Sequence, residues 1–384
     1  MDCLGTLSLV DDQDPKLYSK CFCTSFEFEN SFLISSSAGR ACLAVFKQED
    51  TFNPSVYRNR DIRPKTSETL SFNEITKIES CSKSDISTIL LEKSYDSNSK
   101  ISSLYQISIE TQSETAFNST LIHKNSFIDQ NVSDFSLKPD SDNSDIAIIL
   151  DSSLILLNRE TQEQSNICQD ILSNSTDTES LIKWSSHFGY SQVLFTHLKN
   201  KLLSFDLKAN EVSFQLNLER LGLITSFDYN PNIDYFITIG GESPLIYVYD
   251  IRNCNKPFLQ FSNHSHYTSV LTYNSEFDQF LLTAGLDGFT CISNIPEQCF
   301  ETVNSTSKSK SIHKPTEKCS LVQTDTLFLE TTACSMVYSA CWSKFASFQT
   351  MVVDSNGLIG LHEITDEYRL ENIVGLANDV EITV

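Results

Sequence analysis

A chain of 384 residues exceeds a typical single domain, so it forms either two domains or one large repeat fold. Its 50 Asp and Glu against 28 Lys and Arg leave a formal net charge of −22, a surface that repels phosphate backbones and argues against nucleic-acid binding. Apolar residues make up 40%, enough for a sizeable core, and they are rich in Phe, Ile, Leu and Val, which suit pleated strands better than helices.

Helical periodicity is weak. Short apolar strands recur instead, punctuated by Ser, Asn, Asp and Gly. The residues before Phe32 are expected to supply a strand that completes the last unit of a repeat fold. The first unit is SFLISSSAGRACLAVFKQ, the second spans Ile75 to Ile107, and the third is VSDFSLKPDSDNSDIAIILDSSLILLNRE. The fourth, SLIKWSSHFGYSQVLFTHLKNKLLSFDLK, ends in Phe205-Asp206.

The fifth unit is the clearest. Strands are expected at Ile224 to Tyr229, Tyr235 to Ile239 and Leu245 to Tyr249, with turns at Asn230-Pro231-Asn232 and Gly240-Gly241. The sixth repeats the design from Tyr267, with Asp287-Gly288 as a strong hairpin turn. Tyr229 and Tyr273 stand 44 positions apart, within the spacing of a WD-repeat propeller blade. A polar, Ser-, Thr- and Lys-rich stretch at 301–335 reads as a surface insertion before the seventh unit, VYSACWSKFASFQTMVVDSNGLIGLHEI. The expected architecture is all-β: a single seven-bladed WD-repeat β-propeller over 1–384 with degenerate blades.

A WD blade is tied by a His before its first strand, a Ser or Thr in the second, an Asp in the next turn and a Trp in the third. Buried polar groups must be paired, so such a set fixes one geometry. In the sixth unit His264, Thr283 and Asp287 take these places as a structural blade network. Ser293 replaces the Trp, which is expected to truncate the set. Tyr249-Asp250, His362-Glu363 and Leu157-Asn158 stand where Trp-Asp would be elsewhere.

Signals of chemistry are sparse. The 12 cysteines include no Cys-x-x-Cys, and no His cluster has metal-ligand spacing. Cys21 and Cys23 would share one face of a strand. The set reads as reduced thiols of a cytosolic protein. Asn-x-Ser/Thr triplets at Asn118 and Asn174 follow no signal peptide, and no apolar run approaches a membrane span. With no Gly-rich phosphate loop and no nucleophile elbow, neither a cofactor nor enzymatic activity is expected.

The stretch from Leu223 to Asn294 carries a more specific combination. DYNPN lies in a first strand and turn, YDIRN closes a blade, and Lys256-Pro257 follows in the connection. HSHYTSV, YNSEFDQFLLT and a terminal ISN complete it. Together these resemble the WD-repeat family of the EARP and GARP complex-interacting protein, also called tumour-suppressing subtransferable candidate. The Ser-Asn ending and a long polar insertion before the last blade are features of that family. The resemblance implies a cytosolic, non-enzymatic scaffold that assists recruitment of EARP and GARP tethering complexes. It would act in endosomal recycling and endosome-to-Golgi retrograde transport, peripheral to endosomes and the trans-Golgi network. Membrane association would be indirect, through partners, and the protein a monomer.

An alternative is a substrate receptor of a cullin-RING ubiquitin ligase, whose Trp-Asp-x-Arg ending is varied here as Tyr249-Asp250-Ile251-Arg252. Asp250 and Arg252 would then contact the ligase adaptor. The competing structural reading is that Asp250 caps a turn and pairs with Arg252. An enzyme on a propeller scaffold is a third option, for which the sequence nominates no residues.

Overall fold

The structure is a computed structural model. It describes residues 2–8, 21–25, 31–36, 40–45, 70–71, 74–80, 87–96, 99–113, 116–139, 145–151, 153–168, 180–185, 187, 192–197, 200–295, 325–329, 336–343, 347–355 and 358–364. Among these residues the fold is all-β with no α-helix; a single 3-10 turn, Glu219–Leu221, precedes the fifth sheet.

The strands assemble into seven antiparallel sheets of four. Sheet one joins Cys21–Ser25, Ser31–Ser36, Arg40–Val45 and Leu70–Ser71. Sheet two joins Glu74–Ser80, Ser87–Asp96, Ser99–Ser113 and Ala116–Ile128. Sheet three holds Val132–Leu137, Asp145–Leu150, Ser153–Asn158 and Gln164–Cys168. Sheet four holds Ile182–Trp184, Gln192–His197, Lys201–Asp206 and Glu211–Asn217. Sheet five holds Ile224–Tyr229, Phe236–Gly241, Leu245–Asp250 and Leu259–Ser262. Sheet six holds Thr268–Tyr273, Phe280–Gly285, Thr290–Asn294 and Asp325–Leu329. Sheet seven joins Val337–Trp342, Gln349–Asp354 and Leu358–Glu363 to the first strand of the chain, Asp2–Ser8. That strand lies antiparallel beside Leu358–Glu363, Asp2 opposite Glu363 and Ser8 opposite Leu358.

The near-continuous apolar strands have a simple cause: sheets three to six are each packed on both faces. Every residue of Phe236–Gly241 and of Phe280–Gly285 is buried. Side chains alternate across a strand, so consecutive residues serve different neighbours. Leu281 packs with Phe236, Ile246 and Val248 of sheet five. Phe280 and Leu282 pack with Ala340, Trp342 and Val352 of sheet seven. Similar apolar layers join sheets two and three, three and four, and four and five.

The first strands of sheets two and three, three and four, five and six, and six and seven approach one another, and Cys21–Ser25 of sheet one contacts sheet two on one side and sheet seven on the other. The succession of neighbours thus returns from the last sheet to the first, an arrangement consistent with a β-propeller. A bulge recurs near the start of the first strand in sheets two, three, five, six and seven.

Two details differ from the sequence reading. Gly240 and Gly241 end the second strand of sheet five instead of forming the turn, which falls at 242–244. Gly241 sits against the Leu223 carbonyl oxygen, where a Cβ would collide. In the stretch read as a polar insertion, 301–324 and 330–335 lie outside the described residues. Asp325–Leu329 is the fourth strand of sheet six, its consecutive Leu327, Phe328 and Leu329 opposite Ile292, Cys291 and Thr290.

Candidate functional site

Buried polar side chains tie these sheets together, and the residues singled out in the sequence belong to that group. His264 precedes the first strand of sheet six, Thr283 lies in its second strand and Asp287 in the following turn. The fold brings all three together. His264 Nε2 is 3.0 Å from Thr283 Oγ1, and its Nδ1 is 3.2 Å from Asp287 Oδ1. A carboxylate only accepts, so Nδ1 carries the proton and Nε2 accepts the Thr283 hydroxyl hydrogen. Asp287 also accepts the backbone N–H of Ser265 at 2.8 Å and of Phe289 at 3.2 Å.

Burial lowers the His264 pKa more than Asp287 raises it, so the imidazole is neutral at pH 7. Burial alone would raise the Asp287 carboxyl, but the Ser265 N–H, His264 and the Phe289 N–H outweigh it and hold the carboxyl low. Gly285 leaves room for the set: a Cβ there would lie 2.5 Å from Asp287 Oδ1 and 2.7 Å from His264 Nδ1.

Ser293, at the Trp place, has its partner outside these three residues. The Asn263 side-chain amide donates to Ser293 Oγ, supplying a partner where an indole would otherwise reach. Cys291, on the same strand, is fully buried, and burial pushes its thiol up to about 12, so it stays protonated.

Asp250 and Arg252 are turned on each other. The guanidinium donates Nε to Oδ1 at 2.9 Å and Nη2 to Oδ2 at 2.7 Å, while the Arg252 backbone N–H donates to Oδ1 at 2.9 Å. The guanidinium lies 3.5 Å above the centre of the Tyr235 ring. The pair closes the turn after the third strand of sheet five, with 48% of the Arg252 side chain exposed.

Sequence reading missed a charged relay along the first strands. Lys77 of sheet two binds Asp134 of sheet three at 2.8 Å, and Asp134 Oδ2 accepts the Ile182 N–H of sheet four at 2.9 Å. Lys183 of sheet four binds Asp228 of sheet five at 2.6 Å, and Asp228 Oδ2 accepts the Tyr273 N–H of sheet six at 2.9 Å. Each aspartate therefore joins the lysine of the preceding sheet to the backbone of the next, satisfying edge N–H groups that a sheet alone leaves open. Burial opposes the Lys77 charge, yet Asp134 and Glu79 offset it and hold its pKa above the ordinary value. Burial raises the Glu79 carboxyl despite nearby Lys77. The sequence signal was a charged residue inside the first strands of sheets two to five.

The repeated Tyr-Asn pair is a second missed device. Asn230 Oδ1 accepts the N–H groups of Asn232 and Ile233 at 3.0 and 2.9 Å, and its amide donates to the Asp278 carbonyl of sheet six at 3.3 Å. Asn274 repeats this with Glu276 and Phe277, and its amide donates to the Ser347 carbonyl of sheet seven. One side chain thus shapes a turn and grips the next sheet.

These groups fix the relative positions of sheets. Among the described residues no cluster of three or more His, Cys, Asp or Glu could hold a metal ion, and no helix is long and apolar enough to cross a membrane.

No protein-family model matches the chain. Curated proteins do. An "EARP-interacting protein homolog" of Gekko japonicus is 27% identical over 165 residues, 41% of each chain. The human "EARP and GARP complex-interacting protein 1" is 26% identical over 165 residues, again 41% of each chain. The "EARP-interacting protein 1" of Caenorhabditis elegans is 22% identical over 134 residues, 35% of each. The chain thus spans about 41% of the length of the vertebrate relatives it matches. It is distantly homologous, over part of its length, to proteins named for interaction with the EARP and GARP complexes.

Proposed function

We propose that the seven sheets are the blades of a closed WD-repeat-type β-propeller, and that the protein is a non-enzymatic adaptor for the EARP and GARP tethering complexes. The observation that carries the functional part is the distant homology to proteins named for interaction with those complexes. The propeller reading is supported by the sheet contacts that return from the seventh to the first and by strand Asp2–Ser8, which completes the last sheet.

A rigid disc presents loops on two faces, so several partners can dock at once. In this role the protein assists recruitment of the complexes in endosomal recycling and endosome-to-Golgi retrograde transport. It is a cytoplasmic monomer that reaches endosomes and the trans-Golgi network through its partners. A net charge of −22 supports protein partners over nucleic acid.

Affinity purification of the full chain from its native cells, read by mass spectrometry, tests this. Co-recovery of EARP and GARP subunits is expected, and recovery of none contradicts the proposal. Recovery of a cullin-RING ligase adaptor instead, lost on Arg252→Ala, would favour the substrate-receptor alternative.

A further inference from the structure

Sheet two differs from the rest at its outer edge. Its fourth strand, Ala116–Ile128, runs 13 residues, whereas the outer strands of sheets three to seven run 5, 7, 4, 5 and 7. It pairs with Ser99–Ser113, and among the described residues no strand pairs with its other side. That side is a row of backbone N–H and C=O groups, a template for a further strand. Edges are commonly blunted by Pro, by charge, by a bulge or by brevity, and of these the strand has one bulge and one lysine. This one has no Pro, Asp or Glu, and its single lysine, Lys124, reaches 4.8 Å from the centre of the Tyr105 ring on the neighbouring strand.

The edge is also apolar. The register steps from Gln106 opposite His123 to Ile107 opposite Leu121, leaving Ile122 as the extra residue of a bulge. Leu121, Ile122 and Ile128 are 58%, 42% and 64% exposed, and they are three of the six large apolar side chains exposed among the described residues. Between this strand and sheet three lies a small cleft lined by Ile89, Leu104, Ile146 and Leu157 together with His123 and Arg159. A 2.6 Å bond from the Asn125 amide to Gln162 of sheet three holds the strand in place.

Charge decides what the edge would take. The only ionisable side chains of the strand are His123 and Lys124, on a chain of net charge −22. A second copy would set the same basic groups against one another, whereas carboxylates would complement them. We propose that Ala116–Ile128 is a docking edge that accepts, by β-strand addition, an extended segment of a partner protein with alternating apolar and acidic residues. The apolar side chains of that segment cover Leu121, Ile122 and Ile128, and its carboxylates meet Lys124 and His123. Only the identity of the partner rests on the adaptor role.

The test is hydrogen exchange of the full chain with a short capped peptide alternating valine and glutamate, and with its lysine counterpart. The glutamate peptide is expected to slow the amides of 116–128 by about tenfold or more, and the lysine peptide to leave them unchanged. Leu121→Ser combined with Ile128→Ser is expected to abolish that protection with the melting temperature unchanged. Lys124→Glu should shift the preference toward the lysine peptide. Equal protection by both peptides, or by neither, overturns the proposal. So does a dimer that protects the strand without peptide. Purified EARP or GARP that binds but leaves 116–128 unprotected overturns the docking edge and leaves the adaptor role intact. Peptide protection with no binding of either complex supports the edge and contradicts the adaptor role.

Discussion

Sheets five and six share a four-strand plan with sheet two, yet they use it for opposite ends. In sheets five and six the second strands are buried at every position, and Asp228, Asn230, Thr283 and His264 are buried and paired. In sheet two the third and fourth strands lengthen to 15 and 13 residues, and the fourth turns Leu121, Ile122 and Ile128 to solvent. Regular repeats spend side chains on holding neighbours; the divergent one leaves surface for something else to hold. Chain regions with a strong repeat pattern thus bury their second strands completely, and the weakly patterned region offers the accessible edge.

The largest expected effect breaks that contrast at its core. Phe280→Ala should cost about 3–5 kcal/mol, because the ring is fully buried between sheets six and seven. Ile128→Ala, at a 64% exposed site, should cost less than about 0.5 kcal/mol. Denaturant unfolding of both variants checks this, and similar losses would erase the distinction.

Next comes the relay between sheets. Asp134→Ala leaves Lys77 and the Ile182 N–H without their carboxylate and should cost about 3 kcal/mol. Lys77→Met combined with Asp134→Leu should recover part of that loss in the same unfolding assay. No recovery would mean that the aspartate acts through something other than charge pairing.

Acid should weaken the histidine-bearing sheets. His362 stands at the Trp place of sheet seven, and burial pushes its pKa from 6.5 down to about 4. His264 is lowered as well. In the unfolded chain both take up protons near their ordinary value, while the folded chain resists protonation. Their contribution to stability is therefore full above pH 6.5 and declines as pH falls through the window toward about 4. Thermal unfolding from pH 7 to 4 should show a falling midpoint, and His362→Leu should flatten that slope. An unchanged slope would show that carboxylates alone set the acid response.

The smallest effects concern turns. Asn274→Ala removes a turn acceptor and an inter-sheet donor and should cost about 1 kcal/mol or more. Arg252→Ala removes a half-exposed guanidinium from Asp250, which keeps a backbone N–H partner, and should cost about 0.5 kcal/mol. Thermal melting resolves the order, and a larger loss at Arg252 would give its stacking on Tyr235 more weight.

What sequence alone disclosed follows burial. Ile224–Tyr229 carries its own pattern and was read with the bounds it has in the structure. The Asp287-Gly288 turn was equally plain, with Gly288 at φ 81°. Outer strands such as Gln164–Cys168 and Glu211–Asn217 were not read, because their mostly exposed, polar residues look like loop. The His264 set was legible since its members sit at fixed places within one repeat. Lys77, Asp134, Lys183 and Asp228 were not, because each pair spans two repeats and periodicity within one cannot show it. The Asn263 bond to Ser293 was hidden for a related reason: it fills a gap left by a missing residue.

The proposed closure of the ring rests on strand Asp2–Ser8 joining Leu358–Glu363 in sheet seven. Native-state hydrogen exchange of the full chain at 2–8 and 358–363 measures this directly. Strong and matched protection of both segments, lost together on global unfolding, is expected. Protection confined to 358–363, with 2–8 exchanging at free-chain rates, would contradict it.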